Sequence, residues 1–430
     1  LSQQLYDIHE VAWEYYKKSL NESKKIQKYF NKERQLSFDI ISDFQLGYAP
    51  DNWQGLLNIL REKKFPSKAI EESGLIISGD KGYFDRFRNR VMFSLTNERG
   101  KICGFAGRAI NPNDQAKYMN SPESPIYHKS NFFYGLNKSK NFIPKIDKIL
   151  VVEGYLDFLQ LYQNDIKNVV AVSGTAFTKE HARKLKRYSE NIILVFDGDS
   201  AGINAAIRSG YILTLEGISP KIIEIPEGLD PDDMMRENKK DEFNNLLQKA
   251  LPLLEFQYKY FNDGTNTNQK LNLFISKSLF EISQIQDPIF REIMVKELAE
   301  LTKIREENLY EKLSILLNRN RKRRSRIPIK KTETIIKANK SRRDMIEQEI
   351  IQLCFSNDIE IRKLFYDYVE ADWFKNSNYK SIFNNVFIHL NSENAPDANI
   401  VMDRLEENER EKLSESIFEL DLKKPTKKLA

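Results

Sequence analysis

Three short apolar runs alternate with two helical patterns between residues 147 and 199, and this alternation restricts the fold more than any other feature. The runs cover residues 148–152, 168–172 and 192–196 and are rich in Val and Ile. Strands that alternate with helices about a dozen residues long are typical of βαβ units. Their strands are parallel and are covered by helices on both faces. The sequence therefore predicts an α/β fold on a parallel sheet, which a fourth run at 221–225 would extend.

Acidic residues follow three of these predicted strands. Glu153 comes after the first strand, Asp197 and Asp199 come after the third, and Asp230 and Asp232 come after the fourth. Parallel sheets bind ligands at the carboxyl ends of their strands, and converging carboxylates repel unless a cation neutralises them. Oxygen ligands suit magnesium, so the pattern predicts a magnesium site. A loop of solvated acids stays open as an alternative, because Asp199 is also a good helix N-cap.

Seven short strings of residues resemble one protein family. EGYLD, SGTAFT, VFDGDSAG and GLDPDD, which lie in this order between Glu153 and Asp233, resemble the Toprim domain. YFDRFRNRVMF, GFAGRAI and KYMNSPESPIYHK, between Tyr83 and Lys129, resemble the part of the catalytic core that is specific to bacterial DnaG-type primases. The resemblance implies a Toprim domain with a Rossmann-like parallel sheet, fused to an N-terminal α+β subdomain and followed by a helical bundle and a C-terminal all-α domain.

The same resemblance implies a DNA primase, a DNA-directed RNA polymerase that makes short RNA primers on single-stranded DNA from ribonucleoside triphosphates. Two Mg²⁺ or Mn²⁺ ions would assist the phosphoryl transfer. Glu153, Asp197 and Asp199 are the expected primary ligands, and Glu153 is also a candidate general base. The expected second shell, or the ligands of a second ion, are Asp157, Asp230 and Asp232.

Arg86, Arg88 and Arg90 form a basic row with a spacing of two residues. On an extended segment all three would lie on one face, which suits contact with phosphates. A solvated strand edge protected by charge is the alternative. The resemblance favours contact with the template or the nucleotide. It adds five candidates in the same role: Arg108, Lys117, Tyr118, Asn120 and Lys129. A loop tyrosine such as Tyr118 can also simply pack against its neighbours.

Charge is distributed unevenly along the chain. The net charge of +5 combines +7 in residues 1–146, −5 in 147–235, +11 in 319–343 and −8 in the rest of the chain. A basic lobe before an acidic one suits an enzyme that holds a polyanion and performs phosphoryl chemistry. The basic segment is expected to be a linker, with or without affinity for nucleic acid. The expected domains are a basic α+β subdomain (1–146), the Toprim domain (147–235), a helical bundle (236–318), the linker (319–342) and part of an all-α domain (343–430).

The all-α region at 343–430 carries no catalytic pattern. Its position in the family implies that it binds a replicative DnaB-type helicase, although a generic helical domain has the same sequence pattern.

Two other function classes stay open for the whole chain. One is a different Toprim enzyme, such as a nuclease or a topoisomerase-like strand breaker, and the other is a non-catalytic helicase-associated DNA-binding module.

Cysteine and histidine are too scattered for a zinc ribbon, which needs four clustered ligands. Cys103 and Cys354 lie far apart, and so do the histidines His9, His128, His181 and His389. We therefore expect no zinc. Primases of the family that the chain resembles normally begin with a zinc ribbon that helps recognise the start site, so the resemblance implies a processed or truncated core that chooses initiation sites poorly. Few cysteines and no apolar run of about 18 residues predict a cytoplasmic protein without a membrane segment. The family resemblance implies that it acts in a bacterial replisome.

Overall fold

The computed structural model divides the chain into two compact units, residues 1–327 and 328–430. The division falls inside the predicted basic linker, of which residues 326–341 lie outside the described residues. No helix in the described part of the chain is both long enough and apolar enough to cross a membrane. The structure describes residues 1–79, 82–111, 116–174, 176–261, 268–325, 342–356, 358–387, 389–390, 396, 401–402, 405–406, 409–410 and 412–413.

The first part of unit 1 is a mixed α+β lobe. Its main sheet is antiparallel in the order β1-β4-β5-β6, and β2 pairs with β3 in a separate ribbon. A turn at residues 97–100 joins β4 to β5, with Gly100 at φ 81°. The lobe contains α1 (Ser2–Glu22), α2 (Lys24–Lys28), a π-helical turn (Tyr29–Glu33), α3 (Phe38–Asp43), β1 (Gly47–Ala49), α4 (Gly55–Glu62), α5 (Ser67–Glu72), β2 (Ile76–Gly79), β3 (Gly82–Asp85), β4 (Arg90–Thr96), β5 (Ile102–Ala109), β6 (Tyr118–Asn120), α6 (Leu136–Ser139) and α7 (Ile143–Ile146).

The amphipathic pattern of α1 explains how this long helix is held. A helix returns to the same face every three to four residues, so an apolar residue at that spacing forms one stripe. The helix packs this stripe against β1 and β5. The sequence spacing of five residues predicts such a stripe in this helix, and all five are buried: Leu5, Ile8, Ala12, Tyr16 and Leu20.

The parallel sheet follows and confirms the βαβαβ prediction. Its strand order is β11-β10-β9-β7-β8, with β7 to β10 parallel and β11 antiparallel at one edge. The fourth strand is shorter than the predicted 221–225. The elements are β7 (Ile149–Val152), α8 (Tyr155–Gln163), β8 (Val169–Ala171), α9 (Lys179–Lys186), β9 (Ile192–Val195), α10 (Ser200–Leu215), β10 (Lys221–Ile222), α11 (Pro231–Arg236), α12 (Lys240–Gln248) and β11 (Leu251–Pro252).

The two faces of this sheet belong to different hydrophobic clusters. Side chains alternate between faces along a strand, so Leu150 and Val152 pack with the N-terminal lobe, whereas Ile149 and Val151 pack with the helices that follow the sheet. The sheet is therefore covered on both sides, as its continuous apolar strands require.

Helices complete unit 1 and build unit 2. The sequence pattern of the bundle predicts continuous helices at 241–261 and 288–317. Instead, β11 interrupts the first, and the second breaks at Lys303, whose φ is 58°. Unit 2 packs its helices around Ile351, Phe365 and Phe383. The remaining helices are α13 (Leu253–Phe261), α14 (Asn268–Ile282), α15 (Pro288–Thr302) and α16 (Glu306–Ser325) in unit 1, and α17 (Arg342–Cys354), α18 (Ile359–Tyr368) and α19 (Ser377–Phe387) in unit 2.

Candidate metal centre

Glu153 and Asp197 meet because their strands are neighbours. β7 and β9 pair in parallel with Val152 opposite Val195, so the residues that follow them leave the sheet side by side. The Asp197 N–H donates a hydrogen bond to Glu153 Oε1 at 3.3 Å. Asp199 is exposed and caps α10 by accepting the N–H of Gly202 at 2.7 Å. Asp199 thus performs the capping role that the sequence left open, while it stays next to the other acids.

A second group of acids lies on α8 and α11. Asp157 is buried and accepts the N–H groups of Gly154 at 3.0 Å and of Asp232 at 3.2 Å. Asp230 caps α11 by accepting the N–H of Asp233 at 2.6 Å. One carboxylate oxygen from each of Asp230, Asp232 and Asp233 lies within 4.8 Å of the others. Asp233 therefore adds a ligand candidate beyond those expected from the sequence.

The pKa shifts show that both groups form one electrostatic cluster. Burial, together with the charges of Glu153, Asp230 and Asp199, raises the pKa of Asp197 to about 7, although Lys117 opposes the shift. Burial raises the pKa of Asp157 well above its usual value, and Asp230, Asp197 and Asp232 add to the effect. Asp197 is the link, because it acts on members of both groups.

Two arginines neutralise the most buried of these acids. Arg34 Nη1 lies 2.8 Å from Asp232 Oδ2, and Arg236 Nε lies 3.2 Å from the same oxygen. Arg34 directly follows the π-helical turn, a type of distortion found frequently at functional sites. Its carbonyl also accepts a hydrogen bond from Gln160 Nε2 on α8. Sequence reasoning missed Arg34, which stands 198 residues from Asp232 with no local pattern to mark it.

The residues present fit a hard divalent cation. The donors are carboxylate oxygens, which such ions prefer. Asp232 Oδ1 is buried and accepts no hydrogen bond within the described part of the chain, so it keeps an unused acceptor beside Asp230 and Asp233. Burial and the charges of neighbouring acids raise the pKa values of Glu153, Asp157, Asp197 and Asp230, so the nearby Lys and Arg side chains compensate the negative charge of the cluster only in part. The cluster is therefore suited to divalent metal ions.

The basic row does not lie on one extended face, so that expectation is wrong. β3 ends at Asp85 and β4 begins at Arg90, and Asn89 between them has φ 49°. Arg86 Nε donates to the Gly74 carbonyl at 2.6 Å. Arg90 is buried, and its Nη1 donates to two carbonyls, those of Gly107 and Ala116. The loop turns the three guanidinium groups toward different neighbours.

Arg88 instead forms a partly exposed platform with two aromatic rings. Its guanidinium carbon lies 4.1 Å from the centre of the Trp53 ring and 5.0 Å from that of Phe84. The two rings meet edge to face at 5.4 Å. Trp53 is 60% exposed, so this Trp53–Arg88 platform presents a cation and an indole to solvent. The sequence marked Arg88 alone, because Trp53 stands 35 residues earlier.

The remaining basic and polar candidates occupy β5, β6 and the segment that follows. Lys117 is exposed and close enough to lower the pKa of Asp197. The Arg108 guanidinium lies 5.6 Å from the ring centre of Tyr118. Asn120 accepts a hydrogen bond from Tyr155 and donates one to the Ser173 carbonyl, both at 2.9 Å. Lys129 donates its backbone N–H to Glu123 at 2.9 Å. Lys117 is thus the candidate cation that acts directly on the acidic cluster.

Comparisons with known proteins agree with this architecture. A family model for the N-terminal domain of the DNA primase catalytic core matches residues 15–140, and a Toprim-like model matches 150–235. The DNA primase of Clostridium acetobutylicum is 37% identical over 312 residues, which are 72% of this chain and 52% of that protein. The chain thus spans about half the length of this curated relative.

Solved primase structures share the fold of most of unit 1. A DNA primase domain from Pseudomonas aeruginosa is 34% identical, with a TM-score of 0.66, and the match covers 73% of this chain and 99% of that one. A DnaG primase catalytic domain bound to single-stranded DNA is 30% identical, with a TM-score of 0.62, covering 71% and 98%. The chain has the primase catalytic core fold with a Toprim domain, and it belongs to the DnaG-type DNA primase family.

Proposed function

We propose that this chain synthesises short RNA primers on single-stranded DNA from ribonucleoside triphosphates. The observation that carries the proposal is the acidic cluster at the carboxyl edge of the parallel sheet, with Lys117 beside Asp197. The family membership supports the same reaction. A triphosphate is negatively charged, and carboxylates alone would repel it. A cation next to ion-binding acids therefore suits a site that must hold a triphosphate.

Two sets of acids are proposed to bind two separate Mg²⁺ ions. Glu153, Asp197 and Asp199 are the proposed ligands of one ion, and Asp230 and Asp232 those of a second, with Asp157 behind them. Bound ions would reduce the charge on the triphosphate and favour its in-line attack by a 3′ hydroxyl. Glu153 is the proposed acceptor of the hydroxyl proton, since burial raises its pKa. Because Asp157 accepts two backbone N–H groups, its role is to fix α8 and α11 around the ions.

The template is proposed to contact the Trp53–Arg88 platform. Single strands bind to proteins by stacking their bases on exposed aromatic rings and by placing phosphates near cations. Trp53 supplies the ring, and Arg88 supplies the cation. Arg108, Lys117, Tyr118 and Asn120 are the proposed nucleotide contacts nearer the acids. Lys129 is retained as a proposed phosphate contact, and Arg86 and Arg90 shape the loop that carries Arg88.

Unit 2 is proposed to bind a replicative DnaB-type helicase, which would place the chain in the cytoplasmic replisome of a bacterium. Its position after the catalytic core supports this assignment. Mixing the protein with such a helicase and separating the complex by size-exclusion chromatography tests it. We expect the two to elute together, and a variant that ends before residue 328 to elute alone.

Incubation with labelled ribonucleotides, Mg²⁺ and a single-stranded template tests the catalytic proposal. We expect new RNA, and we expect a loss of at least about a hundredfold in Glu153→Gln, since electrostatic contacts to the transferred group are commonly worth that much. Asp165→Asn, which removes an exposed carboxylate from the same domain, is the matched control and should retain activity.

The outcomes of this assay separate the function classes. Cut DNA without RNA would indicate a different Toprim enzyme. DNA binding with neither product would indicate a non-catalytic module. RNA synthesis that survives in Glu153→Gln would contradict the assignment of the metal centre.

A further inference from the structure

Asp85 is a buried acid that lies outside the metal centre, and its carboxylate caps a helix from a distant strand. It ends β3 and is 2% exposed. Its Oδ2 accepts the N–H of Leu56 at 2.8 Å, and its Oδ1 accepts the N–H of Leu57 at 3.0 Å. These donors lie in the first turn of α4, where the backbone N–H groups have no acceptor within the helix. Gln54, directly before α4, supplies no side-chain cap, so Asp85 takes that role.

The main chain of Asp85 holds both members of the Trp53–Arg88 platform. Its N–H donates to the Trp53 carbonyl at 2.7 Å. Its carbonyl oxygen accepts a hydrogen bond from Arg88 Nη1. Trp53 stands two residues before α4, so the capped helix also limits where the indole can lie. One residue thus connects the start of α4, the ring and the cation.

We propose that Asp85 is a positioning residue for template binding, because it fixes the Trp53–Arg88 platform through both its side chain and its main chain. The inference rests on the proposed function of that platform. Asp85 itself is buried and does not touch the template. Its effect should therefore appear in template affinity, and not in the rate at saturating template.

The surroundings of Asp85 make the hydrogen bonds that its carboxylate accepts sensitive to low pH. Burial raises the pKa of Asp85 to about 6, against the hydrogen bonds from Leu56 and Leu57 and the charge of Arg88. Among the described residues, Tyr15 and Tyr16 of α1 also interact with its charge, and β2 carries no ionisable side chain. A neutral carboxyl accepts hydrogen bonds more weakly than a carboxylate. The platform should therefore loosen as the pH falls through about 6.

Asp85→Asn tests the inference, because the amide has the same shape but does not titrate. Template affinity is measured from the anisotropy of a labelled single-stranded oligonucleotide between pH 5 and 8. At pH 7.5 we expect Kd to rise about three- to tenfold, the effect of losing roughly one helix cap. The wild-type Kd should approach that of the variant near pH 5. In the synthesis assay, the template KM should rise while kcat stays unchanged.

Three further variants separate the possible failures. Asp51→Asn removes an exposed carboxylate near Trp53 and should leave Kd unchanged or slightly lower, because a less negative protein binds a polyanion more readily. An equal rise in Kd there would show that any substitution near Trp53 weakens binding, and would overturn the positioning role of Asp85. If Trp53→Ala and Arg88→Ala both bind template like the wild type, the proposed platform is wrong. If they bind weakly while Asp85→Asn keeps the wild-type affinity and pH profile, the platform stands and the positioning inference alone is overturned. Circular dichroism of each variant checks that it is folded.

Discussion

Asp197 is subject to repulsion from both acidic groups, because, in addition to its burial, Glu153 and Asp199 of one group and Asp230 of the other raise its pKa. Its raised pKa of about 7 results first from burial and then from Glu153, Asp230 and Asp199. Because the folded pKa exceeds the unfolded value, the folded state holds the proton more tightly between about pH 4 and pH 7. The contribution of this residue to stability is therefore greatest at low pH and declines as the pH rises through that window. At neutral pH the ionised Asp197 therefore destabilises the folded, metal-free protein.

Replacing Asp197 with Asn should stabilise the metal-free protein at pH 8 and abolish RNA synthesis. The group is partly exposed, so solvent screening reduces the expected gain to about 1 kcal/mol. For a unit of this size that gain corresponds to about 1–2 °C in the midpoint of thermal unfolding. Unfolding in EDTA at pH 5 and pH 8 measures the effect. A gain of equal size at both pH values would contradict the electrostatic explanation.

At the scale of elements, the start of α9 shows how a histidine replaces the usual capping residue. Thr178 Oγ1 accepts the His181 N–H, and His181 Nδ1 accepts the Thr178 N–H, both at 3.1 Å. Because Nδ1 accepts, Nε2 carries the proton and donates to the Phe132 carbonyl at 3.0 Å. Burial lowers the pKa of His181 to about 4. The cap therefore depends on a neutral imidazole.

Acid should weaken the protein through this cap. The unfolded state binds a proton below about pH 6.5 and the folded state only near pH 4, so stability is lost as the pH falls between these values. The loss is about 2–3 kcal/mol for a shift of this size.

His181→Gln keeps the capping pattern but does not titrate, so the loss of stability at low pH should become smaller. Lost contacts with Phe133 and Phe177 should lower the stability of this variant at pH 7. Urea unfolding at pH 7 and pH 5 measures this. His128→Gln, an exposed site, is the control. An unchanged pH dependence in His181→Gln would contradict the explanation.

At the scale of the whole molecule, Arg34 and Asp232 join the N-terminal lobe to the Toprim domain. Their ion pair spans 2.8 Å, with side chains 19% and 3% exposed. Gln163 strengthens the junction, because its amide accepts the Ser37 N–H at 2.6 Å and donates to the Gln35 carbonyl at 2.9 Å. The junction keeps the basic lobe against the acidic domain.

Arg34→Met should destabilise unit 1 by about 2–4 kcal/mol, because it removes a partner from a buried carboxylate. The cost should be smaller in a background that carries Asp232→Asn, and a double-mutant cycle on urea unfolding measures this coupling. Lys18→Met, which breaks an exposed ion pair in α1, should change stability by less than about 0.5 kcal/mol. Additive effects of Arg34→Met and Asp232→Asn would show that the pair does not join the two parts.

The sequence by itself determined the parallel sheet, the buried stripe of α1 and the acids at the strand ends, because these depend on local periodicity and on the short distance between a strand and the turn after it. It also carried the motifs from which the family resemblance came. Local periodicity did not reveal β11 inside a helical pattern or the break at Lys303. Only the tertiary structure brought Arg34 to Asp232, paired Trp53 with Arg88 and assigned Asp85 to the start of α4. These contacts join residues far apart in the chain, and no local pattern encodes a partner that folding alone brings close.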